Sequence, residues 1–252
     1  MEKVLITGSG AVQNAWDPII EVIQPPHLDS PINSYQANSL LALLVYNVRL
    51  HGSSQNIDIQ NRSKEILQDT RPRIASCIKE YQHVGKLPPQ REFGFLVEKL
   101  IFNQKPHESF KFYHITTNWD TVIHKFLIQF YSQIKTLYLH GSIDDPRTLY
   151  LPTEVCVEVY RDKEENAKLT ESRDAICSIL PDCDELYIYG LSISPLDAEL
   201  FQILSFCLNQ AKIKKILVID NKCLDVIKQL KIILQRPIDI KGVKPEDIIK
   251  LK

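Results

Sequence analysis

Five short runs of β-branched and aromatic residues punctuate the chain: Val4 to Thr7, Phe112 to Thr116, Thr136 to Leu139, Glu185 to Tyr189 and Lys215 to Asp220. Each ends in a turn carrying Gly, Asn, Asp or Thr, and apolar runs of this length are those of strands buried on both faces. Helical spacing follows the later runs. Val122, Ile123, Phe126, Leu127 and Phe130 recur within Asp120 to Tyr131; Leu196, Leu200, Ile203, Leu204 and Cys207 follow Pro195; Leu224, Ile227 and Leu230 follow Asn221. Parallel strands need a crossover rather than a hairpin, so strand and helix in alternation imply an α/β fold with a doubly wound, mostly parallel, Rossmann-like sheet.

Between the first strand and Phe112 strand character nearly vanishes. Helices are expected over Ser34 to Leu50, Arg62 to Tyr81 and Glu92 to Asn103, joined by stiff proline turns at Gln24-Pro25-Pro26-His27 and Leu87-Pro88-Pro89. The chain therefore reads as a single domain over 1–252 with a helical insertion at 24–108, leaving a cleft between insertion and sheet. A chain of 252 residues can bury a core without cross-links.

Composition excludes several classes of function. Hydrophobic residues at 44% and charged residues at 24% argue against disorder and fibrous repeats. Thirty basic against thirty-one acidic residues supply no global field to recruit nucleic acid or an anionic membrane. No apolar run approaches the ~20 residues of a bilayer span. The start runs from Met1 straight into a strand without an export signal, so a cytoplasmic protein is expected. Six scattered cysteines have neither zinc-site nor disulfide spacing; they read as small apolar side chains, and no metal is expected.

Chemistry concentrates where strands end. Val4-Leu5-Ile6-Thr7-Gly8-Ser9-Gly10 delivers a strand into a turn whose glycines let backbone N–H groups approach a phosphate; a plain strand-to-helix turn explains them as well. Thr117, Asn118 and Asp120 close the next strand, around Trp119, at the edge where open α/β sheets bind ligands. A helix cap accounts for one of them but not for the whole group. His140, followed by Gly141, ends the neighbouring strand and is a candidate base. Two further turns, Tyr189-Gly190-Leu191-Ser192-Ile193-Ser194-Pro195-Leu196-Asp197 and Val218-Ile219-Asp220-Asn221, point to the same edge; Asp220 and Asn221 could accept from a ribose or cap a helix. The convergence of these turns is the signal.

In this order, Gly-Ser-Gly, Thr-Thr-Asn-Trp-Asp, Leu-His-Gly, Tyr-Gly-Leu-Ser and Val-Ile-Asp-Asn, the motifs resemble the sirtuin (silent-information-regulator-two-like) superfamily, closest to its bacterial antiphage-defence branch. The resemblance runs from Val4 to about Asn221 outside the helical insertion. It implies that NAD is the substrate. Gly8, Ser9 and Gly10 would line the pyrophosphate, Asn118 would orient the nicotinamide ribose or a water, Asp120 would support the nicotinamide side, and His140 would act on the ribose hydroxyls. Gly190, Ser192 and Asn221 would face the adenosine half, and Asn14, Thr117, Gly141, Asp197 and Asp220 complete the implied NAD-binding set.

Two departures steer the implied chemistry. The four-cysteine module of the family's deacylases is not matched by Cys156, Cys177 and Cys183, and the loop Val12-Gln13-Asn14-Ala15-Trp16-Asp17 lacks their arginine. Hydrolysis of NAD to nicotinamide and ADP-ribose is expected ahead of protein deacylation, in a defence effector that depletes NAD. The alternatives are a sensor that binds NAD or ADP-ribose without turnover, and an assembly subunit. Control would come from homo-oligomerisation or a partner defence protein such as an ATPase; direct binding of nucleic acid or membrane is not expected. Gln55-Asn56-Ile57-Asp58 copies a deacylase motif, but no strand is expected before it, and it reads as a coincidence in a loop.

Overall fold

A computed structural model describes residues 1–52, 56–102, 111–194 and 196–250 of the chain. Six strands form one sheet: β1 (Glu2–Thr7), β2 (Lys111–Thr116), β3 (Lys135–Tyr138), β4 (Glu185–Tyr189), β5 (Lys215–Ile219) and β6 (Asp239–Val243). The sheet order is β3-β2-β1-β4-β5-β6, and every neighbouring pair is parallel. The chain winds outward from β1 through β2 to β3, then returns to the other side of β1 and winds through β4, β5 and β6. That reversal opens a crevice outside the carboxyl ends of β1 and β4, the place where doubly wound sheets hold ligands.

Between β1 and β2 lie α1 (Asp17–Ile23), α2 (Ser34–Gly52), α3 (Ile57–His83) and α4 (Phe93–Leu96), the last running into a π-turn over Val97–Phe102. With α5 (Val122–Leu127) they cover one face of the sheet, where Leu5, Phe112, Tyr187 and Leu217 pack against Leu41, Ile74, Phe93 and Leu127. The other face, with Val4, Ile6, Ile188 and Val218, is covered by α6 (Lys163–Ile179), α7 (Ala198–Gln210) and α8 (Cys223–Ile233). Alternate residues of one strand thus feed two separate cores, which is why the strands read as unbroken apolar runs. All six cysteines are free, and Cys156, Cys183, Cys207 and Cys223 are buried. Among the described residues no helix is long and apolar enough to cross a membrane.

Several boundaries differ from expectation. Helix α3 begins at Ile57, five residues before Arg62, because the Asn56 side chain accepts from the N–H groups of Asp58 (3.0 Å) and Ile59 (3.4 Å). The Asn56-Ile57-Asp58 part of the coincidental motif is therefore a helix start; Gln55 lies outside the described residues. Helix α5 is shorter than Asp120 to Tyr131, since Asp120 takes up the Val122 N–H at 2.9 Å in a turn. The expected Glu92 to Asn103 helix is a single α-turn followed by the π-turn, and Asn103 lies outside the described residues, as does Pro195 before α7. Helix α6 and strand β6 were not read from sequence at all.

Candidate functional site

The site begins with two turns stitched together. The Gly8 N–H donates to the Tyr189 carbonyl at 3.0 Å and the Gly10 N–H to the Gly190 carbonyl at 2.9 Å. A Cβ on Gly8 would stand 2.6 Å from Gly190 O, and one on Gly190, whose φ is +60°, would stand 2.3 Å from the Gly10 carbonyl carbon. These glycines exist because the β1 and β4 turns cross in backbone contact. Chain packing therefore demands Gly8 and Gly10 whatever else the turn does.

Beside this crossing lies a cavity of about 400 Å³. Gly8 and Ser9 from the β1 turn, Thr117, Asn118 and Asp120 from the β2 end and His140 from the β3 end share its wall. Ser192 and Asp197 of the β4 turn join them, while Tyr35 and Asn38 of α2 and Ile78 of α3 close the opposite side. The expected cleft between sheet and helical insertion is this cavity. Gly10, Asn14, Gly141, Gly190, Asp220 and Asn221 do not reach its wall. Asn14 is exposed in a left-handed turn (φ 58°) with its amide toward the Lys86 carbonyl, and Asp220 accepts the Lys222 N–H at 2.6 Å. At Gly141, where φ is +73°, a Cβ would meet Thr148 O at 2.0 Å, so this glycine serves the packing of its own loop. From the β5 side it is Lys222 that lines the cavity.

Asn118 is 7% exposed and Asp120 8%. Burial pushes the Asp120 carboxyl up from 3.8 to about 6, opposed by the hydrogen bond from Val122 N–H. Among the described residues the buried Asn118 Nδ2 has no well-aligned hydrogen-bond partner, although its dipole still favours the Asp120 carboxylate. The Trp119 Nε1 beside it is likewise buried without a partner among the described residues. Unsatisfied donors of this kind cost roughly 1–3 kcal/mol each, a cost that a ligand or water accepting from them would offset.

His140 is held by Tyr150 and Asp197. Its ring stacks on Tyr150 with centroids 5.0 Å apart and planes 7° from parallel. Its Nε2 stands 3.2 Å from Asp197 Oδ2, an ion-pair distance without good hydrogen-bond alignment. The other oxygen of Asp197 caps α7 by accepting the Leu200 N–H at 3.1 Å. Burial disfavours the imidazolium, but the charge and hydrogen bonding of Asp197, the charge of Glu199 and the Thr117 backbone outweigh it, so the His140 pKa is raised. Asp197, expected to bind NAD, is placed as the partner of the candidate base.

The segment supplying Tyr150, Leu151 and Pro152 to the wall is anchored by buried charge. Glu154 takes hydrogen bonds from Arg71 (2.5 Å), Arg161 (2.8 Å) and the Tyr160 hydroxyl (2.6 Å), and these charged side chains are at most 5% exposed. Arg49 of α2 reaches Glu158 and the Thr153 carbonyl, the latter at 2.6 Å. The Tyr150 hydroxyl itself meets Glu199 at 2.5 Å. Sequence reasoning missed Tyr150, Tyr35 and Asn38, which stand in no strand-end motif, and Lys222, which stands one residue past the Val218-Ile219-Asp220-Asn221 turn. The Asp162-x-x-Glu165 capping box after Arg161 was the one legible sign of structure nearby. Among the described residues no group of three or more His, Cys, Asp or Glu is arranged to hold a metal ion. No protein-family model matches the sequence, and neither does any curated protein.

Proposed function

We propose that the cavity binds NAD and hydrolyses its N-glycosidic bond, giving nicotinamide and ADP-ribose. One observation carries this reading: Asn118, Asp120 and His140, from the ends of two different strands, line one cavity at the switch point of a Rossmann-like sheet. Cleavage builds positive charge on the ribose while nicotinamide leaves neutral from a cationic ring, so little acid catalysis is needed. The site has to orient the ribose, stabilise that charge and present a nucleophile. Two carboxylates on the wall, Asp120 and Asp197, suit the cationic end, and among the described residues Lys222 is the single Lys or Arg on it to face phosphate or adenosine. In this scheme Asn118 orients the ribose or the attacking water, and neutral His140, held by Asp197 and Tyr150, takes up a proton from a ribose hydroxyl or that water.

The sirtuin-like motif order supports the choice of NAD over other dinucleotides. On this reading the protein is a defence effector that depletes NAD, restrained by self-association or by a partner such as an ATPase. The test is nicotinamide release from NAD by wild type, Asn118→Ala and His140→Ala, without any acylated peptide. Losing one acid–base group lowers turnover by roughly 10²–10⁴-fold, and that loss is expected of His140→Ala with the fold intact. Turnover equal in all three proteins would reject the assignment.

A further inference from the structure

A polar strip crosses the sheet face that otherwise carries Leu5, Phe112, Tyr187 and Leu217. Thr7 Oγ1 lies 3.0 Å from Thr116 Oγ1 and 2.9 Å from His114 Nε2. His114 Nδ1 lies 3.0 Å from Thr136 Oγ1, which is 2.9 Å from the Nδ1 of His124 on α5. At the other end Thr116 Oγ1 accepts the main-chain N–H of Asn118 at 3.1 Å and reaches the Thr7 carbonyl at 3.3 Å. His114 is fully buried and Thr116 2% exposed, so an unused donor here would be expensive.

Counting protons gives the strip a direction. Burial pushes the His114 pKa down to about 3, leaving a neutral ring with one N–H. When Thr116 donates to the Thr7 carbonyl and Thr7 donates to Thr116 Oγ1, the Thr7 oxygen is left to accept from His114 Nε2–H. His114 Nδ1 then accepts from the Thr136 hydroxyl, whose oxygen accepts from His124 Nδ1–H. The reverse direction gives up the bond to the Thr7 carbonyl and makes one hydrogen bond fewer.

We propose that Thr136, His114, Thr7 and Thr116 form a one-way hydrogen-bond chain running from the His124 ring to the main chain of Asn118, which makes His114 a positioning residue of the cavity. The chain ties β1, β2, β3 and α5 together one residue from the site, and its last oxygen receives two donors, one of them from Asn118. Its geometry stands independently of the substrate; its effect on turnover rests on the NAD reading.

Side-chain ¹⁵N correlation spectra of the full chain test it. His114 is expected as the neutral Nε2–H tautomer at pH 7; the Nδ1–H tautomer or an imidazolium would overturn the chain. Replacing His114 endangers the core, so Thr136→Val, which keeps the side-chain shape outside the cavity wall, carries the second readout. It is expected to shift the Asn118 main-chain amide resonance and to lower kcat for nicotinamide release roughly tenfold with KM nearly unchanged, as slight misplacement of a reacting geometry does. An unmoved Asn118 resonance would also overturn the proposal. Failure of the wild type to cleave NAD would count against the proposed function alone, since the two resonances decide the chain without turnover.

Discussion

Burial that raises the Asp120 carboxyl from 3.8 to about 6 means that the folded protein holds this proton more tightly than the unfolded chain. Stability from this group is therefore greatest below pH 4 and declines as pH rises through 6, by about 3 kcal/mol in all. Asp120→Asn should remove that penalty: the variant is expected to unfold later than wild type at pH 8, to lose its advantage near pH 4, and to be impaired in NAD cleavage. Urea unfolding at both pH values measures this, and a variant no more stable at pH 8 would refute it. His140 has the opposite logic. Asp197 raises its pKa against the opposing effect of burial, so the neutral imidazole appears at higher pH than in an ordinary histidine, and the acid limb of kcat/KM should be displaced upward accordingly. Asp197→Asn is expected to lower the plateau and move that limb to lower pH; a pH–rate profile with an unmoved limb would contradict the pairing. The sequence made both residues conspicuous. It could not show that Asp197 stands against His140 as well as on the cavity wall, because the two are brought together only by the parallel order of the sheet.

The segment from Leu149 to Arg161 belongs to no helix or strand beyond short turns, yet it forms the wall behind His140. Its order comes from Glu154 and Glu158, each buried against arginines of α2, α3 or the segment itself. Removing one partner of a buried ion pair costs roughly 3–5 kcal/mol because the other charge stays buried. Glu154→Gln should accordingly lower Tm by about 10 °C and weaken NAD affinity; calorimetric unfolding with a Tm near wild type would show that the pairs do not hold the wall. None of this was legible beforehand, because Arg71, Arg49 and Glu154 look like ordinary surface charges in a list of residues. Strand β6 escaped for a related reason: as an edge strand with Asp239, Lys241 and Gly242 exposed, it carries no apolar run. Helix α6 buries Leu169 and Ile176 among polar residues, too sparse a stripe to stand out.

For the whole molecule, the five apolar runs were enough to give the α/β class and the parallel sheet, since burial on both faces leaves its mark in every residue of a strand. The cleft beside the helical insertion was legible too, from the loss of strand character and the stiff proline links. The composition of its wall was only partly so: Gly8, Ser9, Thr117, Asn118, Asp120, His140, Ser192 and Asp197 meet there, while the remaining strand-end residues serve turns and packing. A structure of His140→Ala with NAD is the most direct measurement of whether these residues meet around one dinucleotide. The account predicts the nicotinamide ribose between Asn118 and position 140, with an attacking water about 3–3.5 Å from the glycosidic carbon and the pyrophosphate over Gly8 and Ser9. NAD lodged in another crevice, or lying with its adenine against Asn118, would contradict it.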